Sequence, residues 1–402
     1  MSTETAIRTA VTAALDPEQI ARELYDALYQ DNLSLVLIFF SPEYDLEALS
    51  TAMTKVFGSE VTIAGCSTSG ELTPEGYREN CITGVSFGWP DFHVVARKID
   101  SLPDFRVDDG IELVQDAVAE LLETAPSMSR DQIFSLLLID GLSMAEDSVV
   151  SAIHAALDEI PLFGGSAGDG LTFDRTAILF GEEVTQNCAV LLFIATRAPF
   201  IVFKTEHFMA GNTKMVVTEA DPTTRMVTEI NAEPAAAEFA RLLGLNTAHL
   251  DPMAFASHPV VVKVGGQPYV RSIQKVNPDG SLTFFCAIDE GIVLTNAIGL
   301  DIQENLQDAF IRIRDQIGQP QLVLGCDCVL RRLELKAKGL EDRISTLLVQ
   351  NNVVGFSTYG EQFNNMHVNQ TFTGVAIGRL PDPPAEDNAP QPLSPPSEDQ
   401  KE

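Results

Sequence analysis

The side chains with the most chemical capacity are six histidines, a close cysteine pair, one strand arginine and a set of glycine-serine turns. Imidazole is the commonest axial ligand of a non-covalent haem. His258 immediately precedes the apolar stretch 259–264, the kind of wall a porphyrin needs. His367 stands in His367-Val-Asn-Gln-Thr371, where orienting a loop is as natural as binding iron, and His207 closes the apolar run 200–207. His93, His154 and His249 fall at surface or helix positions. A satisfied structural role is open for every one of them. There is no Cys-x-x-Cys-His for covalent haem attachment, and no Cys-Pro dipeptide of a thiolate site.

Arg271 lies among apolar neighbours, and its guanidinium fork suits a carboxylate or a propionate. An ordinary salt bridge, for instance with Glu290, is the alternative. Cys326 and Cys328 flank one aspartate at the end of an apolar run. They suit a redox pair or metal ligands, but no second Cys/His pair has zinc spacing, so core burial is the better account. No nucleophile, base and acid are spaced as a catalytic set, and a ligand-binding protein rather than an enzyme is expected.

The glycine turns form a repeat. Gly65-Cys-Ser-Thr-Ser-Gly-Glu71 and Gly355-Phe-Ser-Thr-Tyr-Gly-Glu361 agree at five of seven positions, and the shared offset of 290 residues also aligns Gly84 with Gly374. Gly164-Gly165-Ser166-Ala-Gly-Asp169 is a looser third copy. Small residues at a strand end leave room for a ligand, which makes Gly65, Ser67, Gly70, Gly164, Gly165, Ser166, Gly355, Ser357 and Gly360 candidate pocket turns; a tight structural turn is the rival account. No Gly-Lys-Ser/Thr follows, so these are not phosphate loops.

Elements that position such turns can be read around them. Apolar runs 35–40, 136–139 and 322–324 precede the motifs, and runs 82–87, 189–194 and 372–377 follow. Leu46, Leu49, Met53 and Val56 between run and motif have helical spacing. The pattern predicts an α/β fold of repeated β-α-β units. Between the second and third copies, strands are expected at 200–207 and 214–218, a helix at 234–244 ended by Gly244, and an antiparallel meander of 260–264, 269–276 and 281–288. Its turns are Gly265-Gly266 and Asn277-Pro-Asp-Gly280, and an amphipathic helix follows at 300–316. From residue 381 a proline-rich acidic stretch reads as a disordered tail.

At 402 residues, two domains are the natural division. Lys and Arg total 26 against 57 Asp and Glu, a net charge of −31 that disfavours nucleic acid and anionic lipid as partners. The apolar runs are strand-sized, which predicts no membrane span. The opening Met1-Ser-Thr-Glu-Thr resembles no secretory signal, so a cytoplasmic location with reduced cysteines is expected.

These motifs resemble the FIST family of bacterial sensory proteins: Ala64 to Glu71, Phe163 to Asp169, Tyr269-Val-Arg-Ser-Ile273, Asp289-Glu-Gly291, Gly355 to Glu361 and His367 to Thr371, in the family's order. The resemblance implies a FIST N-terminal domain at 15–200, a FIST C-terminal domain at 201–380 and the tail at 381–402. It implies a ligand sensor that reports to a separate partner, a histidine kinase of a two-component system. The stretch from Ser257-His-Pro through Phe284-Phe-Cys-Ala-Ile-Asp-Glu-Gly291 is similar to free-standing haem proteins of the family that sense nitric oxide. That implies a haem b, with His258 or His367 on the iron and Arg271 on a propionate. Two other readings stand beside it: an organic ligand such as an amino acid bound by Arg271 and the glycine turns, and thiol redox sensing through Cys326 and Cys328.

Overall fold

The computed structural model describes residues 6–264 and 266–380. Three six-stranded sheets share one plan. In the first, Leu33–Phe40 pairs parallel with Thr62–Ser67 and antiparallel with Ile82–Gly88, and Ile7–Thr12 adds to the latter. The second repeats this with Ile133–Ile139, Leu162–Ser166, Ala189–Thr196 and Phe92–Ile99. The third uses Leu322–Cys328, Val353–Thr358, Thr371–Ile377 and Phe200–Glu206. Parallel neighbours need a crossover, supplied by helix Leu46–Phe57, helix Glu146–Leu157 and, in the third unit, the pair Val329–Lys338 and Glu341–Gln350. The repeated β-α-β architecture expected from the sequence is the one observed.

The remaining two strands of each sheet are borrowed. The hairpin at 71–78 follows the first glycine motif but pairs with the third sheet, Leu72 opposite Gly355. The hairpin at 178–185 follows the second motif and joins the first sheet, Ile178 opposite Cys66. The hairpin at 361–368 joins the second, Glu361 opposite Gly165. Each unit thus hands a hairpin to a neighbour in a closed cycle, and the two halves of the chain interlock.

The central strands are apolar on both faces because both are covered. Inner side chains such as Phe39, Leu136, Cys326 and Phe356 join one core, with the Phe39 and Phe356 rings stacked at 4.6 Å. Outer ones such as Ile38 and Phe40 pack under helices carrying Leu24, Leu49 and Met53.

The antiparallel sheet lies in the C-terminal half, but it is not the simple meander expected. The stretch 269–276 breaks at Ser272, and its two parts, Gln267–Arg271 and Ile273–Val276, end up at opposite edges of one eight-stranded sheet. Ser272 leaves the ladder because its amide donates to Asn369 Oδ1 (3.3 Å) and its carbonyl accepts from Phe285 (3.0 Å). The sheet wraps around Met215, Phe239, Phe255 and Phe284. The expected strand 281–288 stops at Phe284, since Ala287 donates its amide to Asp147 at the start of helix Glu146–Leu157 (3.1 Å). Arg225 reaches the same helix through Glu146 (2.7 Å), tying sheet to unit. The turn at Gly265 and the tail at 381–402 lie outside the described residues.

The first glycine of each motif has a packing reason. A Cβ on Gly65 would sit 2.1 Å from the Ile38 carbonyl, one on Gly164 2.2 Å from that of Leu137, and one on Gly355 1.8 Å from that of Gly325. The obstacle is backbone in all three, so it cannot swing aside. Gly164→Ala is therefore expected to destabilise the fold by on the order of 3 kcal/mol. A melting temperature within a degree of wild type would show that the strand spacing is not what that glycine secures.

Candidate functional site

The three motifs meet end to end. Gly168 donates its amide to the Ser67 carbonyl (3.0 Å), Ser69 to Ser357 (2.9 Å) and Tyr359 to Ser166 (3.1 Å), closing a ring of backbone hydrogen bonds. Above this ring opens a cleft of about 330 Å³. Its walls are residues 41–43, Thr68–Gly70 of the first motif, Glu79 and Asn80 after the borrowed hairpin, residues 169–172, and one face of helix Val329–Lys338. Val329, Arg332, Leu333 and Lys336 form that face, the spacing of neighbours along one helix side.

Arg332 is anchored from several directions. Its Nε donates to Glu341 Oε1 (3.2 Å), Nη1 to the Arg78 carbonyl (3.3 Å), and Nη2 lies 3.4 Å from Glu79 Oε1. The guanidinium also sits over the Tyr77 ring, 5.0 Å from its centre. Gly70 makes room for it: its φ of +127° favours glycine, and a Cβ there would lie 1.7 Å from Arg332 Nη1. Lys336 Nζ donates to the same Glu79 oxygen at 2.6 Å. That bond, with the charges of Arg332 and Lys336, holds the Glu79 carboxyl below its usual range. On the floor, the buried Ser69 hydroxyl has no partner. Asp169 is saturated by the amides of Phe173, Asp174 and Arg175 (2.8, 2.8 and 2.7 Å) and by the Tyr359 hydroxyl, so it shapes the loop.

The cleft helix is fixed from behind by a buried chain of charges. Arg331 Nε donates to Asp327 (2.7 Å), which also accepts from Tyr77. Arg331 Nη1 donates to His207 Nδ1 (3.1 Å), so His207 carries its proton on Nε2, 2.7 Å from Glu334. Burial keeps His207 neutral by lowering its pKa, against the pull of Glu334.

Of the expected pocket turns, only Gly70 lines the cleft, beside its neighbours Thr68 and Ser69. Gly65, Gly164 and Gly355 are strand-packing positions, and Gly165 is pressed against Phe356 and Thr358. Ser67 accepts from the Ala177 amide (2.9 Å) and Ser166 from Gln362 (2.9 Å). The Ser357 hydroxyl is buried without a partner, and Gly360 gives space to the His367 ring. Arg271 is half-buried and donates to the His367 carbonyl (3.2 Å). Cys326 packs in the inner core, whereas Cys328, where the strand gives way to helix Val329–Lys338, packs in a separate cluster with Phe285 and Tyr359, and burial pushes both thiols up. That geometry does not favour pairing.

The sequence matches the FIST N domain over residues 34–233 and the FIST C domain over 235–364. The chain belongs to the FIST family. FIST domains are sensory domains of signal transduction, which class this protein with small-ligand binding and signalling. No curated protein matches it. Among solved structures, cyanuric acid hydrolase from A. caulinodans aligns at 9% identity and a TM-score of 0.37, over 93% of this chain and 99% of that one. A likeness that loose says nothing about function. No helix among the described residues is long and apolar enough to cross a membrane.

The FIST motifs point at the turns, but the cleft's cations lie elsewhere. Arg332 and Lys336 carry no motif signal. One compositional clue exists: residues 331–338 hold Arg331, Arg332, Lys336 and Lys338 in an otherwise acidic chain. What face they present depends on the helix being laid across another unit's hairpin.

Two buried groups of this FIST protein make stability depend on pH. Burial raises the Glu361 carboxyl to about 8, although Thr358 and Thr371 bond to it. For His367 burial opposes the charge, but the Cys286 sulfur and the Glu146 and Asp147 carboxylates outweigh it and raise it to about 9. A raised group stabilises fully below its unfolded value, near 4.5 for the acid and 6.5 for the imidazole, and that stability is lost as pH rises through the folded value. The melting temperature should therefore fall from pH 6.5 to 9. Glu361→Gln should flatten the part below about 8, and His367→Gln the part up to about 9. Curves that run parallel to wild type would rule these groups out.

Proposed function

We propose that this FIST protein senses a small organic ligand, an amino acid in the first instance, that binds in the cleft and changes what the chain presents to a partner histidine kinase. The observation that supports it is the pairing of Arg332 and Lys336 above the unpartnered Ser69 hydroxyl, in a cleft of about 330 Å³. Sites for small molecules have that size and a few convergent polar groups. The cation pair would take the carboxylate, and Ser69 a second polar group. In this reading the chain is a cytoplasmic binder, not an enzyme. The position also suits signalling, because the cleft walls come from both halves of the chain. A thermal-shift screen of the protein amino acids should find one or a few that stabilise it. Lys336→Ala should weaken that binding about tenfold, the share of one charged hydrogen bond. If no amino acid shifts the melting point, or the variant binds like wild type, the reading fails.

A haem b sensor of nitric oxide is the second reading, and one observation favours it. His258 Nδ1 lies 3.0 Å from the Ala254 carbonyl, which can only accept, so the proton sits on Nδ1 and Nε2 keeps its lone pair. This is how a ligating imidazole is commonly oriented. His258 fits an axial position in that respect. His367 does not, since its ring is enclosed against Gly360. Arg271, with Nη1 engaged by the His367 carbonyl, keeps part of its fork for a propionate. Haem would supply an iron that takes up nitric oxide. Reconstituted protein should show a stoichiometric Soret band that shifts with nitric oxide and is lost in His258→Ala. No specific uptake, or a band indifferent to that substitution, would remove this reading.

A further inference from the structure

Glu79 has a geometry that the fold alone does not require. One of its oxygens, Oε1, meets both cations of the cleft, Lys336 at 2.6 Å and Arg332 at 3.4 Å. Its side chain is 54% exposed, whereas Arg332 is 6% exposed and already held by Glu341, the Arg78 carbonyl and the Tyr77 ring. Arg332 thus keeps its position whether or not Glu79 is present. Nor does the turn need an acid. The residue at the same place in the third repeat is Asn369, neutral, at the same offset of 290 residues.

Around the cation pair the chain is strongly acidic, at −31 overall, and Glu43 stands across the cleft. A free anion approaching this surface is repelled until it reaches Arg332 and Lys336. There it meets a carboxylate already in place.

We propose that Glu79 is an internal stand-in for the anionic group of the ligand, and that the ligand binds by displacing it from Arg332 and Lys336. This deepens the cleft reading and rests on it. Glu79 then sets the concentration at which the sensor responds, because every binding event includes breaking its contacts. The shorter contact, Lys336 with Glu79, is exposed on both sides, and ion pairs of that kind are weak enough to exchange. Glu79 also follows directly on the hairpin that the first unit lends to the third sheet, so its release frees one tie between the two halves of the chain.

The test uses the full chain with inorganic phosphate as a minimal anion, and the amino-acid panel in parallel, by calorimetry. Glu79→Gln should bind phosphate about tenfold more tightly than wild type, with the gain lost when Lys336→Ala is added. Glu79→Asn, which copies the third repeat, should behave the same and guards against a folding defect in the first variant. Unchanged affinity would make Glu79 a spectator and overturn the proposal. Weaker affinity would make it a ligand contact and overturn it equally. The two readings part cleanly. Amino-acid binding that depends on Lys336 but ignores Glu79→Gln leaves the sensor reading and removes the stand-in. A phosphate gain in Glu79→Gln without any amino-acid binding keeps the stand-in and removes the amino acid.

Discussion

The carbonyls of Ile38, Leu137 and Gly325 lie where side chains on Gly65, Gly164 and Gly355 would begin. This close approach of one parallel strand to the next is the constraint on which the rest depends. It draws each motif turn inward far enough to hydrogen-bond its neighbour, so that Ser67, Ser166 and Ser357 offer their carbonyls to one closed ring. Any side chain at those glycines would push the strands apart and open the ring. The hairpins that leave the motifs are then already beside a foreign sheet edge, and pairing with it covers an edge that would otherwise be exposed.

The cleft is a consequence of that exchange. Because the hairpin at 71–78 is lent to the third sheet, Tyr77, Arg78 and Glu79 are brought under a helix that belongs to the opposite end of the chain. Gly70, at the end of the same motif, leaves the space that Arg332 fills. The repeat explains this by contrast. At the matching place in the third copy, Gly360 leaves its space to His367 and Asn369. One backbone design thus serves an open, charged cleft in the first unit and a closed, buried cluster in the third.

Charge is placed with the same economy of position. The buried chain from Tyr77 through Asp327, Arg331 and His207 to Glu334 adds little net stability, since ion pairs out of water lose in hydration much of what they gain. It does fix the register of the cleft helix, because any rotation would strand a buried charge. Arg331 faces that chain while its neighbour Arg332 faces the cleft, so ligand side and sheet side are joined through one rigid turn of helix.

Sequence by itself determined the architecture of repeats. Apolar runs of strand length flanking G-x-S turns, repeated at an offset of 290 residues, read as strands buried on both faces around a helix, because their length and the glycines that end them favour strand over helix. It determined the burial of Cys326 and Cys328 by the same logic. The break at Ser272 was not legible, because 269–276 alternates well enough for one strand, and only hydrogen bonds to Asn369 and Phe285 end it. Nor was the cleft. Its cations lie some 260 residues from the turns they face, and their meeting is decided by which sheet each hairpin joins. Local pattern fixes what a segment becomes; partner choice between equivalent sheet edges is a property of the assembled whole.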